Sequence, residues 1–245
     1  MTTKAITLDA YGTLFDIDAV GLTAVEAFVT DQKLSVDPPT LSELWTRKFF
    51  DLLHAYGDEN PTPFRTIREM TTSSLRECFD ELGAPEGKTG PAVEIWFEHV
   101  SRSPLYPEVR EAVESLATRY DLALISDADD DVIGPTLRDA RLPVGHVFTS
   151  ETHRAYKIDV TRDIFHRAFA ALGATPEEVV HVGDSSSDIV GAARAGARSV
   201  WLSRDGRAWK DERAAPTHTC RDMAEAARLL CGNGWEMEDG RQNAE

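Results

Sequence analysis

Residues 4–16 read Lys4-Ala-Ile-Thr-Leu-Asp9-Ala-Tyr-Gly-Thr-Leu-Phe-Asp16. A short apolar run stops at an acid, and Gly12 then supplies a turn. This is a strand whose C-terminal end opens into a loop, with Asp9 at the mouth. From Ile17 to Arg102 the apolar spacing follows a helical period, which predicts helices over 20–31, 40–56, 64–82 and 91–101. Thr40-Leu-Ser-Glu43 fits a capping box, Gly83 fits a helix stop, and Pro38-Pro39 and Asn60-Pro61-Thr-Pro63 break the intervening segments.

From Pro107 onward helix and strand patterns alternate. Helices are expected over 107–119, 130–139, 159–172, 187–195 and 221–230, and strands at 121–126, 146–148, 179–183 and 198–202. Thr175-Pro-Glu-Glu178 has the Thr, Pro and Glu of a short capped helix. This alternation predicts an α/β fold with a Rossmann-like, doubly wound parallel sheet formed by residues 1–16 and 103–245. The all-helical stretch 17–102, inserted before the sheet has grown, reads as a separate cap domain. Ligands of such sheets sit beyond the carboxyl ends of the strands.

Composition narrows the function classes. The chain has 245 residues, 42% hydrophobic and 28% charged, enough for one sizeable core and a smaller unit. A formal net charge of −16 repels polyanions, so nucleic acid is not an expected partner. No apolar stretch reaches the ~20 residues of a membrane span, and Met1-Thr-Thr-Lys4 leads into a strand instead of a signal-peptide core. A cytoplasmic protein is therefore expected. Cys78, Cys220 and Cys231 have neither disulfide-framework nor zinc spacing.

The strand ends carry the chemistry. Asp9, Tyr11 and Thr13 follow the first strand, Ser126 and Asp127 the second, Lys157 stands in the next connection, and Asp184 and Asp188 follow the 179–183 strand. Singly, acids and serines at strand ends commonly cap helices and a lysine is commonly solvated. Together, Asp9-Ala-Tyr-Gly-Thr-Leu-Phe-Asp16, Leu124-Ile-Ser126, Tyr156-Lys157 and Val182-Gly-Asp-Ser-Ser-Ser-Asp188 with Gly191-Ala-Ala-Arg-Ala-Gly196 resemble the four motifs of the haloacid dehalogenase-like hydrolases, in order. The resemblance spans essentially the whole chain, because that family inserts its helical cap directly after the first motif. It implies that Asp9 is a covalent nucleophile balanced by Lys157, with Thr13 and Ser126 holding substrate oxygens. It also implies Mg²⁺ held by Asp9, the Tyr11 carbonyl and Asp184, with Asp188 in direct contact or behind them.

Two reactions compete within that resemblance. Phosphatases of the family usually have a second aspartate two positions after the nucleophile. Tyr11 occupies that position here, as in the metal-free 2-haloacid dehalogenases. Against this, the Asp184/Asp188 motif has the magnesium form, Ser126-Asp127 replaces a typical Ser-Asn, and Trp45-Thr-Arg47-Lys shifts a cap arginine by one place, about 100° around a helix. On balance the expectation is Mg²⁺-dependent hydrolysis of a small anionic phosphomonoester, with Asp127 as the proton donor that Tyr11 cannot readily be. The alternatives are 2-haloacid dehalogenation and an inactive protein that retains ligand binding.

Other residues carry less. His181, inside Val-Val-His-Val-Gly, reads as a buried core histidine, and His54 and His99 as ordinary cap residues. Trp45, Phe49, Phe50, Leu53 and Tyr56 form a stripe of the kind that builds a core. Arg47 and Arg65 are the cap cations to consider for an anionic substrate group. Hinges are expected at Phe15–Asp18 and Ser101–Pro104, and the tail from Gly232, with Glu236, Glu238 and Asp239, reads as solvated. Either a monomer or a homodimer is compatible with this pattern.

Overall fold

The computed structural model describes residues 2–57, 63–85 and 87–232. Asn60, Pro61 and Thr62, and the tail residues Glu236, Glu238 and Asp239, lie outside the described residues. The first strand, β1 (Ala5–Leu8), is followed by four helices, α1 (Asp18–Asp31), α2 (Pro38–His54), α3 (Ile67–Leu82) and α4 (Thr89–Val100). The chain then alternates through α5 (Val109–Ala117), β2 (Asp121–Ser126), α6 (Asp130–Ala140), β3 (His146–Thr149), the single turn α7 (Ser150–His153) and α8 (Asp163–Ala171). It ends with β4 (Val179–Gly183), α9 (Ser186–Arg194), β5 (Arg198–Leu202), β6 (His218–Cys220) and α10 (Met223–Cys231).

The six strands are parallel in the order β3-β2-β1-β4-β5-β6. Strand β1 is central, and the winding direction reverses beside it, so Asp9 emerges at the switch point where such sheets bind ligands. Alternate residues of each strand face opposite layers. Ile6, Leu8, Leu124, Val180 and Val182 pack with Val113 and Leu116 of α5, Ile133 of α6 and Met223 of α10. Ala5, Ala123, Ile125 and Val179 pack on the other side with Ile164, Phe165 and Phe169 of α8 and Ala192 of α9. Helices α1–α4 form a separate apolar cluster around Phe28, Trp45, Phe79 and Phe97. The Trp45 indole donates to Ser74 at 2.9 Å, so the head of the aromatic stripe is core.

The two segments that join the helical layer to the sheet run side by side. Asp16 N donates to Pro104 O at 2.8 Å and Tyr106 N to Leu14 O at 3.0 Å, within the predicted hinges or next to them. No described helix is long and apolar enough to cross a membrane.

Several local expectations need correction. Thr40 does not cap α2: the helix begins at Pro38, and the Asp37 carboxylate accepts from Thr40 N at 3.0 Å and from the Thr40 hydroxyl at 2.6 Å. Pro at the first helical position lacks the N–H that would need a cap, so the start moves two residues upstream. The helix expected over 159–172 begins only at Asp163, because the 154–162 stretch turns back to deliver Lys157 to the sheet. Strand β6 and the turn α7 were not predicted; at three and four residues they are too short to show a period.

Candidate active site

Six of the predicted residues come together at the carboxyl end of β1, β2 and β4: Asp9, Thr13, Asp127, Lys157, Asp184 and Asp188. Lys157 is buried, and its ammonium lies 2.5 Å from Asp9 Oδ1 and 2.5 Å from Asp188 Oδ1. Burial opposes the lysine charge, but Asp188, Asp9 and Asp127 outweigh it and raise its pKa well above the ordinary value. One positive charge is thus shared between two carboxylates. Burial also raises the Asp9 pKa, with Lys157 pulling against it. For Asp188 the balance goes the other way, and Lys157 and His181 overcome burial to hold it well below the usual carboxylate range.

Asp188 is saturated. Its Oδ1 accepts from Lys157 and from His181 Nε2 at 3.0 Å, and its Oδ2 accepts from Ser185 N at 2.9 Å and Ser185 Oγ at 2.6 Å. Ser185 and Asp188 form the capping box of α9, so the local sequence fixes the acid at a helix N-terminus that favours negative charge. An ionised carboxylate only accepts, so His181 Nε2 carries a proton; its Nδ1 pairs with the Thr7 hydroxyl at 2.9 Å. His181 is therefore a buried, hydrogen-bonded residue, and it supports Asp188 from behind.

Asp9 Oδ2 has a different environment: it is buried with no hydrogen-bond partner. An unpartnered buried carboxylate oxygen is costly, and here it leaves the Asp9 Oδ2 lone pairs uncommitted. Asp184 stands beside it. Burial, then Asp9 and Asp188, raise the Asp184 pKa well above its ordinary value, while the Thr13 hydroxyl donates to its Oδ1 at 3.2 Å. The Trp201 indole donates to the Asp184 carbonyl at 2.9 Å. Ligand atoms of Asp9, Asp184 and Asp188 all lie within 4.8 Å of one another.

Gly12 makes this crowding possible. It has φ +90°, and a Cβ there would lie 2.4 Å from Asp184 Oδ2. Gly191 plays a similar part below Lys157, where a Cβ would fall 2.2 Å from the Lys157 carbonyl. Because backbone cannot yield as a flexible side chain can, Gly191→Ala is expected to displace the lysine loop and cost about 1–3 kcal/mol by overpacking. Chemical denaturation would detect this, and an unchanged midpoint would show that α9 can shift freely.

Tyr11 turns its hydroxyl to Thr136 of α6 at 3.2 Å, and burial pushes its pKa up to about 12. Ser126 is buried at the end of β2. Asp127 Oδ1 accepts from Lys157 N at 2.9 Å, its Oδ2 is buried without a partner, and burial raises its pKa to about 7 despite Lys157. Arg47 stands apart, on the exposed face of α2, and among the described residues no hydrogen bond or ion pair joins it to these groups. Arg65 is also committed elsewhere, its guanidinium donating to Glu69 O and Ser73 Oγ.

Sequence reasoning missed Asp129. This buried acid, two residues after Asp127, accepts from Ile67 N at 2.9 Å and Arg68 N at 2.8 Å, the first amides of α3 in the helical layer. Thr66 and Glu69 cap the same helix locally, so layer and sheet share one helix start. Tyr156, next to Lys157, reinforces this by donating to Arg65 O at 2.5 Å. An Asp-rich run after a strand was the available signal, but nothing in it points to a partner 62 residues away.

A family model for haloacid dehalogenase-like hydrolases matches residues 3–196. The chain belongs to that family. Relatives of this hydrolase include an (S)-2-haloacid dehalogenase 4A of Burkholderia cepacia, 27% identical over 238 residues, covering 94% of this chain and 96% of that one. A phosphoserine phosphatase of Thermus thermophilus is 31% identical over 156 residues, covering 62% of this chain and 61% of that one. Among solved structures, that of the L-2-haloacid dehalogenase RSc1362 superposes with a TM-score of 0.80 at 21% identity, over 95% of this hydrolase and 100% of that chain. The curated sequence relatives matched along nearly the full length are dehalogenases, against the phosphatase expectation drawn from the sequence. A solved structure of equal TM-score, 0.80 at 19% identity over 94% of this chain and 99% of that one, is by contrast that of Bacillus subtilis YfnB bound to magnesium.

Proposed function

We propose that this hydrolase removes halide from a short 2-haloacid, with Asp9 as nucleophile and residues 17–102 as the cap over the site. The observation that carries this reading is the Asp9–Tyr11 pair: a carboxylate with one oxygen held by Lys157 and the other unpartnered, followed two positions on by a tyrosine instead of an acid. Asp9 Oδ2 attacks C2 of the substrate, an ester bond forms, and the carbon–halogen electron pair leaves as halide. Water then attacks the Asp9 carbonyl carbon, releasing the 2-hydroxyacid and restoring the carboxylate. A halide needs no proton to leave, so a Tyr11 hydroxyl that gives up its proton only near pH 12 is no handicap. The full-length dehalogenase relatives support the same chemistry.

Asp127 gives this reading a pH signature. Its carboxyl, uncharged below about pH 7, can donate to a substrate carboxylate, whereas the ionised form repels one. Halide release should therefore decline above about pH 7 through a rising KM, and Asp127→Asn should abolish that decline. Stability shares the sign. A carboxyl pKa raised on folding contributes stability that is present at acid pH and lost as pH rises through about 7, on the order of 2–4 kcal/mol here. The gain in melting temperature of the variant over the wild type should be larger at pH 8 than at pH 5. An identical pH dependence of melting in both proteins would refute the assignment.

The acidic cluster favours a second reading, Mg²⁺-dependent phosphomonoester hydrolysis. The donor set fits a hard cation: Asp9 Oδ2 and the Asp184 carboxylate are hard oxygens, the Tyr11 carbonyl could join them, and Asp188, with both oxygens spent, would stay behind. Such an ion would neutralise phosphoryl charge. Asp127, titrating near 7, would then be the proton donor, and Asp127→Asn would lose turnover on an alkyl phosphate. The deciding assay follows halide from 2-chloropropionate in chelator and phosphate from an aryl phosphate in Mg²⁺, each with Asp9→Asn as blank. Halide alone supports the proposal, phosphate alone transfers it to the second reading, and neither points to a protein that only binds its ligand.

A further inference from the structure

Arg204 lies just beyond β5, outside all four sequence motifs, yet its guanidinium reaches back to the loop that follows Asp9. Nε donates to Gly12 O at 3.1 Å and Nη2 to Thr13 O at 2.7 Å. The third contact, Nη1 to Glu108 Oε1 at 2.8 Å, fixes the head group from the start of α5. Its Cζ stands 3.5 Å from the Tyr106 ring centroid, close enough for a cation–π contact. A planar fork with two carbonyls, one carboxylate and one ring has little freedom left.

The loop is held as well by Tyr106 N, which donates to Leu14 O at 3.0 Å, by the Tyr11 hydroxyl at Thr136, and by its own backbone. Leu14 N and Phe15 N both donate to Ala10 O, and Gly12 N donates to Phe15 O. Gly12 also approaches the Asp184 carboxylate too closely to admit a Cβ, and the Thr13 hydroxyl bonds the same carboxylate. In a trans peptide the C=O and the following N–H point in opposite directions. A guanidinium on Gly12 O therefore aims Thr13 N–H away from Arg204, and polarises that peptide so that the N–H is a stronger donor.

We propose that Arg204 is a positioning residue that fixes the nucleophile loop from behind, setting the place of Asp9 against Lys157 and the direction of the Thr13 amide, with Glu108 and Tyr106 as its supports. The proposal rests on Asp9 being the nucleophile for its catalytic consequence, though not for its structural one. The reaction is sensitive to this placement because a displacement of about 1 Å in a reacting group can cost 10²-fold in rate.

The test combines hydrogen–deuterium exchange of the 9–15 segment with steady-state halide release from 2-chloropropionate, in wild type, Arg204→Lys, Arg204→Ala and Glu108→Gln. Loss of the clamp is expected to speed exchange of the Gly12, Leu14 and Phe15 amides at least tenfold in Arg204→Ala, with Arg204→Lys intermediate. It should lower kcat by roughly 10- to 100-fold while KM stays within about twofold. Glu108→Gln, which keeps an acceptor but loses the ion pair, should move both readouts in the same direction by less. Unchanged exchange in the folded arginine variants overturns the proposal, as does a KM effect without a kcat effect. If Arg204→Ala does not fold, Arg204→Lys and Glu108→Gln decide by the same criteria. Wild type without halide release would refute the dehalogenase reading, and exchange alone would then decide whether the clamp exists.

Discussion

Asp9→Asn should lower halide release by roughly 10⁴-fold or more, the scale of losing a covalent nucleophile, with the protein still folded. The amide is nearly isosteric with the carboxylate, and its oxygen can still accept from Lys157, so the geometry of the pair survives. Stability should hold or rise, because burial and Asp188 both work against a charge on Asp9. Single-turnover mass spectrometry adds a second readout: a substrate-derived adduct on the peptide containing Asp9 in wild type, absent from the variant. Residual turnover within tenfold of wild type, or an adduct on another residue, would move the nucleophile elsewhere.

The second large effect is expected at Lys157. Lys157→Met keeps the length of the side chain and removes the charge that Asp9 and Asp188 share at 2.5 Å. Removing one partner of a buried ion pair typically costs about 3–5 kcal/mol, since the remaining charge has neither water nor counterion. Two carboxylates are left in this case, so the upper end is expected, together with loss of halide release. The pH dependence has a definite sign. Without the lysine, Asp9 takes up a proton more readily on folding, so the variant comes closest to wild type at acid pH and falls away as pH rises. Asp188→Asn added to Lys157→Met should recover part of the loss. Equal melting temperatures for wild type and Lys157→Met at pH 8 would show that Lys157 does not balance these acids.

Much of this site was legible in the sequence because a parallel sheet delivers its strand ends to one edge. Once Leu8, Ser126 and Gly183 are recognised as strand termini, Asp9, Asp127 and Asp184 must be neighbours, whatever the helices do. The helical layer was readable by period, with its starts displaced where proline replaced an N–H, as at Pro38. Contacts that cross the fold were hidden. Asp129 looks like one more acid in an Asp-Ala-Asp-Asp-Asp run, Arg204 like a loop cation, and His181 gives no sign that it supports Asp188. Arg47 illustrates the converse, since its type suited an anionic substrate but its place on α2 turned it to solvent. The choice between reactions was illegible for a chemical reason. Tyr11 and Asp184 belong to different forms of the family, and setting the magnesium form of the Asp184/Asp188 motif above Tyr11 led to the phosphatase expectation, whereas the full-length relatives favour the dehalogenase alternative.

The shared start of α3 bears on how the helical layer, if it is the proposed cap, would part from the sheet. Asp129 and Tyr156 hold that helix through a carboxylate, two amides, a phenol and a carbonyl, all of which water can serve nearly as well. Parting them costs little solvation free energy, so this stretch of the seam should behave as a reversible clasp even though Met70 and Leu53 pack against Tyr156 and Ile158 close by. The clasp is also attached to the chemistry: Asp129 follows Asp127 by two residues, and Tyr156 precedes Lys157. Whatever parts the helical layer from the sheet would tug on both the Asp127 loop and the lysine. An open molecule would then carry a disassembled site, and bulk water admitted between turnovers would meet a nucleophile not yet set to react.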